Sequence, residues 1–282
     1  MHATLVDAKT LAANVDQASW RVFDCRHRLD DPEAGGRLYL GGHVPGAFFL
    51  HLDRDLSGPK DGQNGRHPLP DPKVLAARLV EFGVSARTQI VAYDDLGGMF
   101  ASRLWWLLRW LGHEAVAVLD GGIQAWQAGG GRLTSGRPPM PVAGRLVEAT
   151  SRGQPVVTVE TLVANLGQPN FQVIDARSPD RYRGENETLD PVGGHIPGAR
   201  NRFFRDNFDA SGSFKPVGEL RREWAEFLGD TPADAVIHQC GSGVTACVNL
   251  LAMEHAGMCG SRLYAGSWSE WCADPGRPVA RR

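Results

Sequence analysis

Short apolar runs, separated by polar and glycine-rich stretches, recur along the chain and determine the expected secondary structure. RVFDC from Arg21 and QVIDAR from Gln172 are rich in β-branched and aromatic residues, which predicts a buried strand in each half. The runs QIVAYD and AVIHQ predict a second strand that leads through a loop into a helix. The runs AVAVLDGG and RLYAGS predict a third strand, followed by a short helix that carries a tryptophan.

The alternation of predicted strands with helical patterns indicates an α/β fold. Consecutive strands joined through helices form parallel sheets with helices on both faces. The segment LWWLLRW, residues 104–110, is apolar nearly all round, which is typical of a helix buried in the core. We therefore expect mainly parallel sheets flanked by helices.

The two halves of the chain repeat one another. GGHVPGA at residues 41–47 returns as GGHIPGA at residues 193–199. Aligning Gly98 with Gly243 places the later landmarks of both halves in the same order, at an offset of 145 positions. Such self-similarity indicates two copies of one module. Residues 134–153 are rich in proline, glycine and serine, the composition of a linker. We predict domains over residues 1–133 and 154–282, joined by a linker over residues 134–153.

Composition narrows the classes of function. Apolar residues make up 42% of the 282 residues, charged residues 22%, and the formal net charge is −2. Without a basic tail, nucleic acid is not an expected partner. The N-terminus has no secretory signal pattern, and the longest apolar stretch is too short to span a bilayer. We expect a soluble, cytoplasmic protein with no membrane partner.

The five cysteines are odd in number and show no CxxC spacing; they are Cys25, Cys240, Cys247, Cys259 and Cys272. This pattern predicts neither a disulfide framework nor a zinc site. Since the histidines and cysteines show no metal-ligand spacing, we expect no metal and no organic cofactor.

Cys240 differs from the other cysteines because it follows a predicted strand and opens the glycine-rich loop CGSGVTA. In open α/β sheets, ligands bind outside the carboxyl ends of the strands. Gly241 and Gly243 can turn the loop amides inward, and the next helix adds its positive N-terminal end, which predicts an anion-binding cup. A thiol in such a cup is a candidate nucleophile, and the cup would afterwards hold its persulfide anion. The structural alternative is a tight turn with a buried, inert thiol.

The repeat argues against that alternative. In the first half Asp95 aligns with Cys240, in the loop DDLGGMF. The same turn is thus predicted to form without a thiol, so the cysteine is not needed to build it. We expect a catalytic second half and a first half without a nucleophile.

Along nearly its whole length the chain resembles the tandem-domain rhodanese-like sulfurtransferases. The resemblance rests on YLGGHVPGAFFL, on the second GGHIPGA and on YAGSWSEW near the C-terminus. The loop CGSGVTA resembles that of the 3-mercaptopyruvate branch, since the loop of the thiosulfate branch carries basic residues. The resemblance implies two rhodanese-like domains and a sulfurtransferase in which Cys240 takes sulfur from a small anionic donor, forms a persulfide and passes the sulfur on. The favoured donor is 3-mercaptopyruvate, with thiosulfate as the alternative, and the implied acceptors are cyanide or a thiol such as thioredoxin.

The resemblance also implies a Ser/His/Asp relay beside the cysteine. Ser242 is its candidate hydroxyl, able to donate a hydrogen bond to the sulfur or to the carbonyl of the donor, although serine is also common in tight turns. His43 and His195 share the repeated turn, which favours a structural role for that motif. In the related enzymes the histidine of the first domain faces the cysteine, so His43 is the catalytic candidate. The acid of the relay is left open. Val244 and Thr245 complete the expected substrate-binding loop.

Arginines pair bidentately with carboxylates and sulfonates, so they are the expected ligands of the donor. The segment DARSPDRYRG supplies Arg177 and Arg181 as candidates, and the resemblance implies that Arg181 binds the donor. The mercaptopyruvate branch has a further arginine shortly before the second GGH turn, near the place where this chain has Asp190. This departure makes a thiosulfate-specific enzyme the first alternative.

Two other classes of protein use a loop of this kind. Phosphatases of related fold need an arginine after the cysteine and five further residues, whereas here that position is Ala246 and the loop is one residue shorter. A rhodanese-like scaffold that binds a partner is the non-enzymatic alternative.

Overall fold

In the computed structural model, which describes residues 1–145, 155–167 and 170–281, the chain divides into two compact units. Unit 1 comprises Met1–Gly58, Pro70–Gly153 and Phe208–Phe214, and unit 2 comprises Pro59–Leu69, Gln154–Asn207 and Lys215–Arg282. Each unit therefore includes one short segment from the other half of the sequence. The predicted domains, residues 1–133 and 154–282, do not include this exchange.

The predicted linker is partly folded. Residues 146–153 of it lie outside the described residues. In its described part, the N–H of Gly136 donates to the carbonyl of Leu40, and the N–H of Gly144 donates to that of Val80. These hydrogen bonds attach residues 134–145 to unit 1, although their composition is that of a linker.

Unit 1 is built on a parallel sheet. Its strands are β1 Leu5–Val6, β2 Trp20–Asp24, β3 Phe48–Phe49, β4 Gln89–Tyr93 and β5 Val116–Leu119. Its helices are α1 Ala8–Ala12, α2 Ala34–Gly41, α3 Pro72–Glu81, α4 Ala101–Trp110 and α5 Gly122–Ala128. The strand order is β1–β5–β4–β2–β3, and every pairing is parallel. The three strands predicted in the first half are β2, β4 and β5.

Unit 2 repeats this plan with four strands. They are β6 Gln172–Asp175, β7 Arg200–Asn201, β8 Val236–Gln239 and β9 Arg262–Leu263. The helices are α6 Val159–Asn165, α7 Pro179–Arg183, α8 Val217–Leu228, α9 Ala246–His255 and α10 Ser267–Trp271, with 3-10 turns at Phe204–Asn207 and Ala233–Ala235. The order is β7–β6–β8–β9, again parallel throughout. The predicted α/β class with parallel sheets is confirmed.

The elements on either side of the Cys240 loop belong to the core of unit 2. All four residues of β8 are buried, and α9 is buried over its first eight residues. Full burial of an aliphatic side chain is worth about 1.5–3 kcal/mol relative to exposure. The two ends of the loop are therefore held by elements that are buried in the core. Among the described residues, none of the helices combines the length and apolar character that a bilayer-spanning segment requires.

The repeated GGH turn is built in the same way in both units. Nδ1 of His43 lies 2.8 Å from the carbonyl oxygen of Tyr39, and the two rings stack with centroids 4.2 Å apart. His195 and Tyr182 make the same contacts in unit 2, at 2.8 and 3.8 Å. In each unit the tyrosine hydroxyl also donates to the carbonyl of the alanine that ends the turn. The motif recurs because this stack holds the turn together.

Candidate active site at the Cys240 loop

Cys240 stands at the carboxyl edge of the sheet of unit 2. Asp175 of β6 lies opposite Gln239 in the parallel ladder, and Cys240 is the next residue along the chain. This is the edge at which open α/β sheets bind ligands. Both polar backbone groups of Cys240 are held: its N–H donates to Oγ of Ser267 at 3.1 Å, and its carbonyl accepts from the N–H of Trp268 at 3.0 Å. The residue is 2% exposed.

Ser267 holds this backbone at a conformational cost. Its φ is +56°, and among the described residues it is the one non-glycine with a positive φ. A left-handed conformation costs an L-residue about 1–2 kcal/mol. The hydroxyl also donates to the carbonyl of Tyr264 at 3.0 Å. In unit 1 the matching residue is Gly122, with a φ of +61°, which adopts this conformation without strain. Sequence analysis missed Ser267, because nothing in its local pattern distinguishes it from other serines in turns.

The strand register identifies the residue of unit 1 that corresponds to Cys240. In unit 1, Asp24 lies opposite Tyr93, just as Asp175 lies opposite Gln239 in unit 2. The next residue is Asp94. Its carbonyl accepts from the N–H of Ile123 at 3.0 Å, as the carbonyl of Cys240 accepts from the matching residue of unit 2. Asp94 therefore occupies the position of Cys240.

The prediction that Asp95 aligns with Cys240 is wrong by one residue. The loop of unit 1, which ends at Ala101, is one residue longer than the loop of unit 2, which ends at Ala246. An alignment that counts back from the helices at a constant offset is therefore shifted by one residue within the loop. Asp95 instead forms an ion pair with Arg28, with oxygen–nitrogen distances of 2.7 and 2.9 Å.

The loop of unit 1 holds an anion of its own. The carboxylate of Asp94 is fully buried and accepts four backbone N–H groups, from Leu96 at 2.8 Å, Gly98 at 2.9 Å, Phe100 at 2.7 Å and Ala101 at 2.9 Å. Burial raises the pKa of Asp94, and these four hydrogen bonds oppose the rise. A loop that joins a parallel strand to a helix in this fold can thus surround a negative charge with N–H groups. In unit 2 the corresponding position carries sulfur.

The hydroxyl of Ser242 contacts a histidine. Nδ1 of His67 lies 2.7 Å from Oγ of Ser242, and the two residues are 5% and 6% exposed. His67 belongs to the segment Pro59–Leu69 of unit 2. A neutral imidazole can accept the serine proton at this nitrogen or donate one to it. Sequence analysis missed His67 because it lies outside the repeated motifs.

His43 has the contacts of a structural residue. Its ring is buried against Tyr39 in unit 1, and His195 repeats the arrangement in unit 2. The histidine that contacts the hydroxyl of Ser242 is His67. The catalytic role predicted for His43 is therefore reassigned to His67 in the proposal below.

Arg177 is also a structural residue rather than a free ligand. Its guanidinium bonds Asp175 at 2.6–3.1 Å, the carbonyl of Gly194 at 2.7 Å and Glu187 at 3.3 Å, so all three nitrogens are used. Arg26 makes the matching bonds to an aspartate and a glycine carbonyl in unit 1. Because the pair recurs in unit 1, where Asp94 takes the position of Cys240, Arg177 holds the loop after β6. Its predicted donor contact finds no support in these bonds.

Two other guanidinium groups converge on Gly241. A Cβ atom built on Gly241 would lie 2.8 Å from Nη2 of Arg66, and 3.4 and 3.5 Å from Nη2 and Nη1 of Arg181. Glu187 holds Arg181 at 2.8–3.1 Å, and Asp190 forms an ion pair with Arg66. A side chain at position 241 would therefore displace the ends of these arginines. Sequence analysis singled out Arg181 and missed Arg66, which lies far away along the chain.

The two carboxylates behind these arginines respond differently to their surroundings. Burial raises the pKa of Asp190, even though the Arg66 guanidinium opposes this. Burial acts in the same direction on Glu187, but the hydrogen bonds from Arg181 and from two backbone N–H groups outweigh it and hold the pKa of Glu187 below its ordinary value. Both carboxylates accept hydrogen bonds from the arginines.

The remainder of the loop is closely packed. Gly243 has a φ of +75°, and a Cβ atom built on it would lie 2.3 Å from the carbonyl oxygen of Ala265. Val244 and Thr245 are buried, and Thr245 directly precedes α9. These predicted loop residues therefore shape the turn around Cys240.

Within the described part of the chain, one cluster in unit 1 brings together possible metal ligands. The ligand atoms of His27, His51 and Asp53 lie within 4.8 Å of one another. Nδ1 of His51, however, accepts the N–H of Asp53 at 3.1 Å. In a neutral imidazole the other nitrogen then carries the proton and offers no lone pair to a cation. We assign no metal to this cluster.

Comparison with known proteins places this geometry in a family. The family described as "Rhodanese-like domain" matches residues 7–129 and again residues 158–274. The chain belongs to the rhodanese family. The "Probable 3-mercaptopyruvate sulfurtransferase" of Pseudomonas aeruginosa is 48% identical to this rhodanese over 284 residues, 99% of this chain and 98% of that protein. Mouse thiosulfate sulfurtransferase is 33% identical over 282 residues, 96% of this chain and 92% of that protein.

A solved structure is similar over the same extent. The crystal structure of SseA from Escherichia coli, described as a 3-mercaptopyruvate sulfotransferase, is 32% identical and superposes on the rhodanese with a TM-score of 0.80. The match covers 95% of this chain and 99% of that one. The predicted fold class, two rhodanese-like domains, is thereby confirmed.

Proposed function

We propose that this rhodanese is a sulfurtransferase that moves sulfur from a small anionic donor, through a persulfide on Cys240, to a thiol or to cyanide. The names of its relatives, which are sulfurtransferases of 3-mercaptopyruvate and thiosulfate, support this class of reaction. One observation carries the proposal. Cys240 occupies the position at which Asp94 of unit 1 is surrounded by the N–H groups of its loop.

The first half-reaction forms the persulfide. The thiolate of Cys240 attacks the sulfur of 3-mercaptopyruvate, and the bond from that sulfur to carbon breaks. The electron pair goes to the methylene carbon as the enolate of pyruvate, and the proton of the donor thiol ends on that carbon. The products are pyruvate and a persulfide anion, so atoms and charge balance without an oxidant. Loop N–H groups and the N-terminus of α9 would stabilise that anion.

Ser242 and His67 are the proposed relay for the proton and for the carbonyl of the donor. The developing enolate oxygen needs a hydrogen-bond donor, and Ser242, two residues after Cys240, carries the hydroxyl that is closest to the cysteine in the sequence. His67, at 2.7 Å, can orient that hydroxyl and exchange a proton with it. Both side chains are buried, where such hydrogen bonds are stronger than in water.

Arg181 is the proposed ligand of the donor carboxylate. Its guanidinium lies beside Gly241, the residue next to the nucleophile. We favour 3-mercaptopyruvate over thiosulfate because the loop from Cys240 to Ala246 carries no basic residue that would face a sulfite leaving group. With thiosulfate the same thiolate would take the outer sulfur and release sulfite, which also balances.

The second half-reaction returns the enzyme to its starting state. A nucleophilic acceptor attacks the outer sulfur of the persulfide, the sulfur–sulfur bond breaks, and Cys240 leaves as a thiolate. Cyanide would become thiocyanate, and a thiol would become a persulfide. A cytoplasmic dithiol protein such as thioredoxin is the acceptor that we propose, because a second thiol can then release the sulfur as sulfide.

Steady-state transfer to cyanide, with 3-mercaptopyruvate and with thiosulfate as donors, tests the proposal. The wild type is compared with Cys240→Ser, and with Cys259→Ser as a matched control because Cys259 is exposed. We expect the larger kcat/KM with 3-mercaptopyruvate, no turnover by Cys240→Ser, and full activity in Cys259→Ser. Mass spectrometry after donor treatment should find one added sulfur on Cys240.

Two outcomes of these experiments would contradict the proposed donor or the proposed reaction. A larger kcat/KM with thiosulfate would make the chain a thiosulfate enzyme. Folded protein that shows no turnover and no persulfide with either donor would overturn the proposal in favour of a binding scaffold.

A further inference from the structure

We propose that a cavity in unit 1 binds a small aromatic carboxylate, a ligand different from the sulfur donor and the acceptor. The cavity has a volume of about 710 Å³, and its walls come from α2, α3, β3 and residues 137–140. All of its lining residues belong to unit 1. A volume of this size lies in the range of pockets that hold small organic ligands.

Aromatic rings line the inner part of the cavity. The ring centroids of Tyr39 and Phe49 lie 5.6 Å apart, and those of Phe48 and Phe82 lie 4.9 Å apart. Three of these residues are buried, whereas Phe49 is half-buried and can be reached by a solute. Aromatic rings pack against one another in offset-stacked or edge-to-face pairs. The lining therefore favours a ligand with a flat aromatic body.

The space beside Phe49 is open because α2 carries a glycine that the fold does not require. Gly35 is needed for packing, since a Cβ atom there would lie 1.9 Å from the carbonyl oxygen of Arg26. At Gly36, outside its own helix, the one described atom within 4 Å of such a Cβ is Cε1 of Phe49, at 3.7 Å, and the φ of Gly36 is not positive. Glycine inside a helix lowers stability relative to alanine. Gly36 thus leaves the cavity open at a cost in stability that packing does not explain.

The arginines of the wall indicate the charge of the ligand. Three of them have a carboxylate partner, in the pairs Arg37–Asp31, Arg54–Glu33 and Arg78–Asp55. The fourth, Arg137, is exposed and makes no side-chain hydrogen bond or ion pair within the described part of the chain. Both carboxylates of the wall, Glu33 and Asp55, are thus already paired with a cation. The charge that remains to be matched is positive.

The unmatched charge lies close to the aromatic rings. Burial and the charge of Asp24 raise the pKa of Tyr39 to about 12, and the positive charge of Arg137 opposes this rise. Arg78 also has an unused group, because it uses Nε for Asp55 and Nη1 for Glu81 while Nη2 makes no hydrogen bond to a described residue. Guanidinium groups bind carboxylates through paired hydrogen bonds. A carboxylate attached to an aromatic ring matches both features of the cavity.

His51 adds a hydrogen-bond donor without an acceptor to the wall. The residue is 4% exposed, and its Nδ1 accepts the N–H of Asp53, so Nε2 carries the proton of the neutral ring. Among the described residues this Nε2 has no hydrogen-bond partner, and the oxygen of Glu33 at 3.8 Å is too far away to accept. A buried donor without a partner costs free energy. An acceptor oxygen of a ligand in the cavity would supply that partner.

Titration with 2-naphthoate, followed by calorimetry, tests the proposal, with 2-naphthamide as the neutral probe of the same shape. We expect one site per chain and roughly 10-fold tighter binding of 2-naphthoate than of the amide. Arg137→Ala should weaken the binding of 2-naphthoate by roughly 10-fold and leave that of the amide nearly unchanged. Arg132→Ala is the matched control and should change neither affinity, because Arg132 is also exposed and does not line the cavity.

Gly36→Leu tests the position of the site independently of charge. The leucine side chain should occupy the space beside Phe49 and abolish the binding of both probes. The variant should unfold at a temperature no lower than the wild type, since leucine favours a helix more than glycine does. Gly218→Leu, on α8 of unit 2, is the matched control, because a Cβ atom there meets no described atom within 4 Å. It should bind both probes as the wild type does.

Four results would overturn the proposal. The first is the absence of saturable binding of 2-naphthoate, and the second is equal affinity for the two probes. The third is unchanged binding in folded Gly36→Leu. The fourth is loss of binding when Cys240 is alkylated with iodoacetamide, which would place the naphthoate at the donor site. None of these measurements needs turnover, so they are independent of the proposed sulfur transfer.

Discussion

The two glycines of the Cys240 loop are needed for different physical reasons. Gly243 has a positive φ, and a Cβ atom there would meet the backbone carbonyl of Ala265 at 2.3 Å, which cannot move without moving the strand end. At Gly241 the nearest atoms, at 2.8 Å or more, are the ends of arginine side chains, which can rotate away. One position is constrained by the backbone and the other by the ends of the two arginine side chains.

We therefore predict that the same substitution has different effects at the two positions. Gly243→Ala should cost at least about 1–3 kcal/mol of stability through backbone strain and abolish sulfur transfer. Gly241→Ala should leave the unfolding temperature nearly unchanged and raise the KM for the donor, since Arg66 and Arg181 must retreat. Thermal unfolding and steady-state kinetics on both variants check this. Equal loss of stability in the two variants would contradict the assignment.

At the scale of elements, strand β8 carries a buried titratable side chain, His238, two residues before Cys240. His238 is fully buried, its Nε2 lies 3.2 Å from the sulfur of Met253, and its Nδ1 has no hydrogen-bond partner among the residues that the structure describes. Burial lowers the pKa of His238 to about 3. The folded protein thus keeps this imidazole neutral over a range in which the unfolded chain, with a pKa of about 6.5, is protonated.

This depressed pKa predicts how stability depends on pH. Above pH 6.5 the imidazole is neutral in both states, and the folded protein keeps its full stability. As the pH falls from 6.5 towards 3, the free energy of unfolding decreases, because the unfolded chain binds a proton that the folded chain cannot. His238→Leu should remove this pH dependence. The free energy of unfolding in urea should fall between pH 7 and pH 5 by about 2 kcal/mol more in the wild type than in the variant. Parallel curves would show that the histidine finds a proton acceptor in the folded state.

The strand-to-helix loops of the two units make another element-scale comparison. Asp94 accepts four N–H groups, whereas Asp95 forms a partly exposed ion pair. Asp94→Asn turns an amide NH₂ towards two N–H donors and should cost about 2–3 kcal/mol. Asp95→Asn should cost about 1 kcal/mol or less, as surface ion pairs do. Chemical unfolding of both variants measures the difference. The reverse order would contradict the conclusion that the four N–H groups bind Asp94 more strongly than Arg28 binds Asp95.

At the scale of the whole molecule, the sequence predicted those features that depend on the local pattern of apolar residues and on internal repetition. Apolar runs predicted the strands on either side of the loop, and the glycines after Cys240 predicted a cup. The single-residue difference between the loops shifted the alignment from Asp94 to Asp95, since periodicity cannot show an insertion inside a turn. Arg177 and Arg181 look alike in the sequence, and they differ only through burial and through the carboxylates that fold against them.

Residues that reach the site from distant segments leave no local signal. His67 lies 175 positions before Ser242, Arg66 lies 124 positions before Asp190, and neither the arginine nor the histidine belongs to a repeated motif. Their role depends on the segment Pro59–Leu69 joining unit 2. A conspicuous histidine in a repeated motif was the stronger candidate from sequence alone, although its repetition reflects the architecture of the turn.

The choice between His67 and His43 as the catalytic histidine depends on how distant segments of the chain fold together. If His67 and Ser242 act as one relay, His67→Asn should lower kcat by about 10²-fold or more, and His67→Asn/Ser242→Ala should be scarcely worse than either single variant. His43→Asn removes the stack on Tyr39, so it should lower the unfolding temperature while the folded fraction keeps its kcat. Steady-state kinetics below the unfolding temperature, normalised to folded protein, check this. Loss of kcat in His43→Asn with an intact His67→Asn enzyme would return the catalytic role to His43.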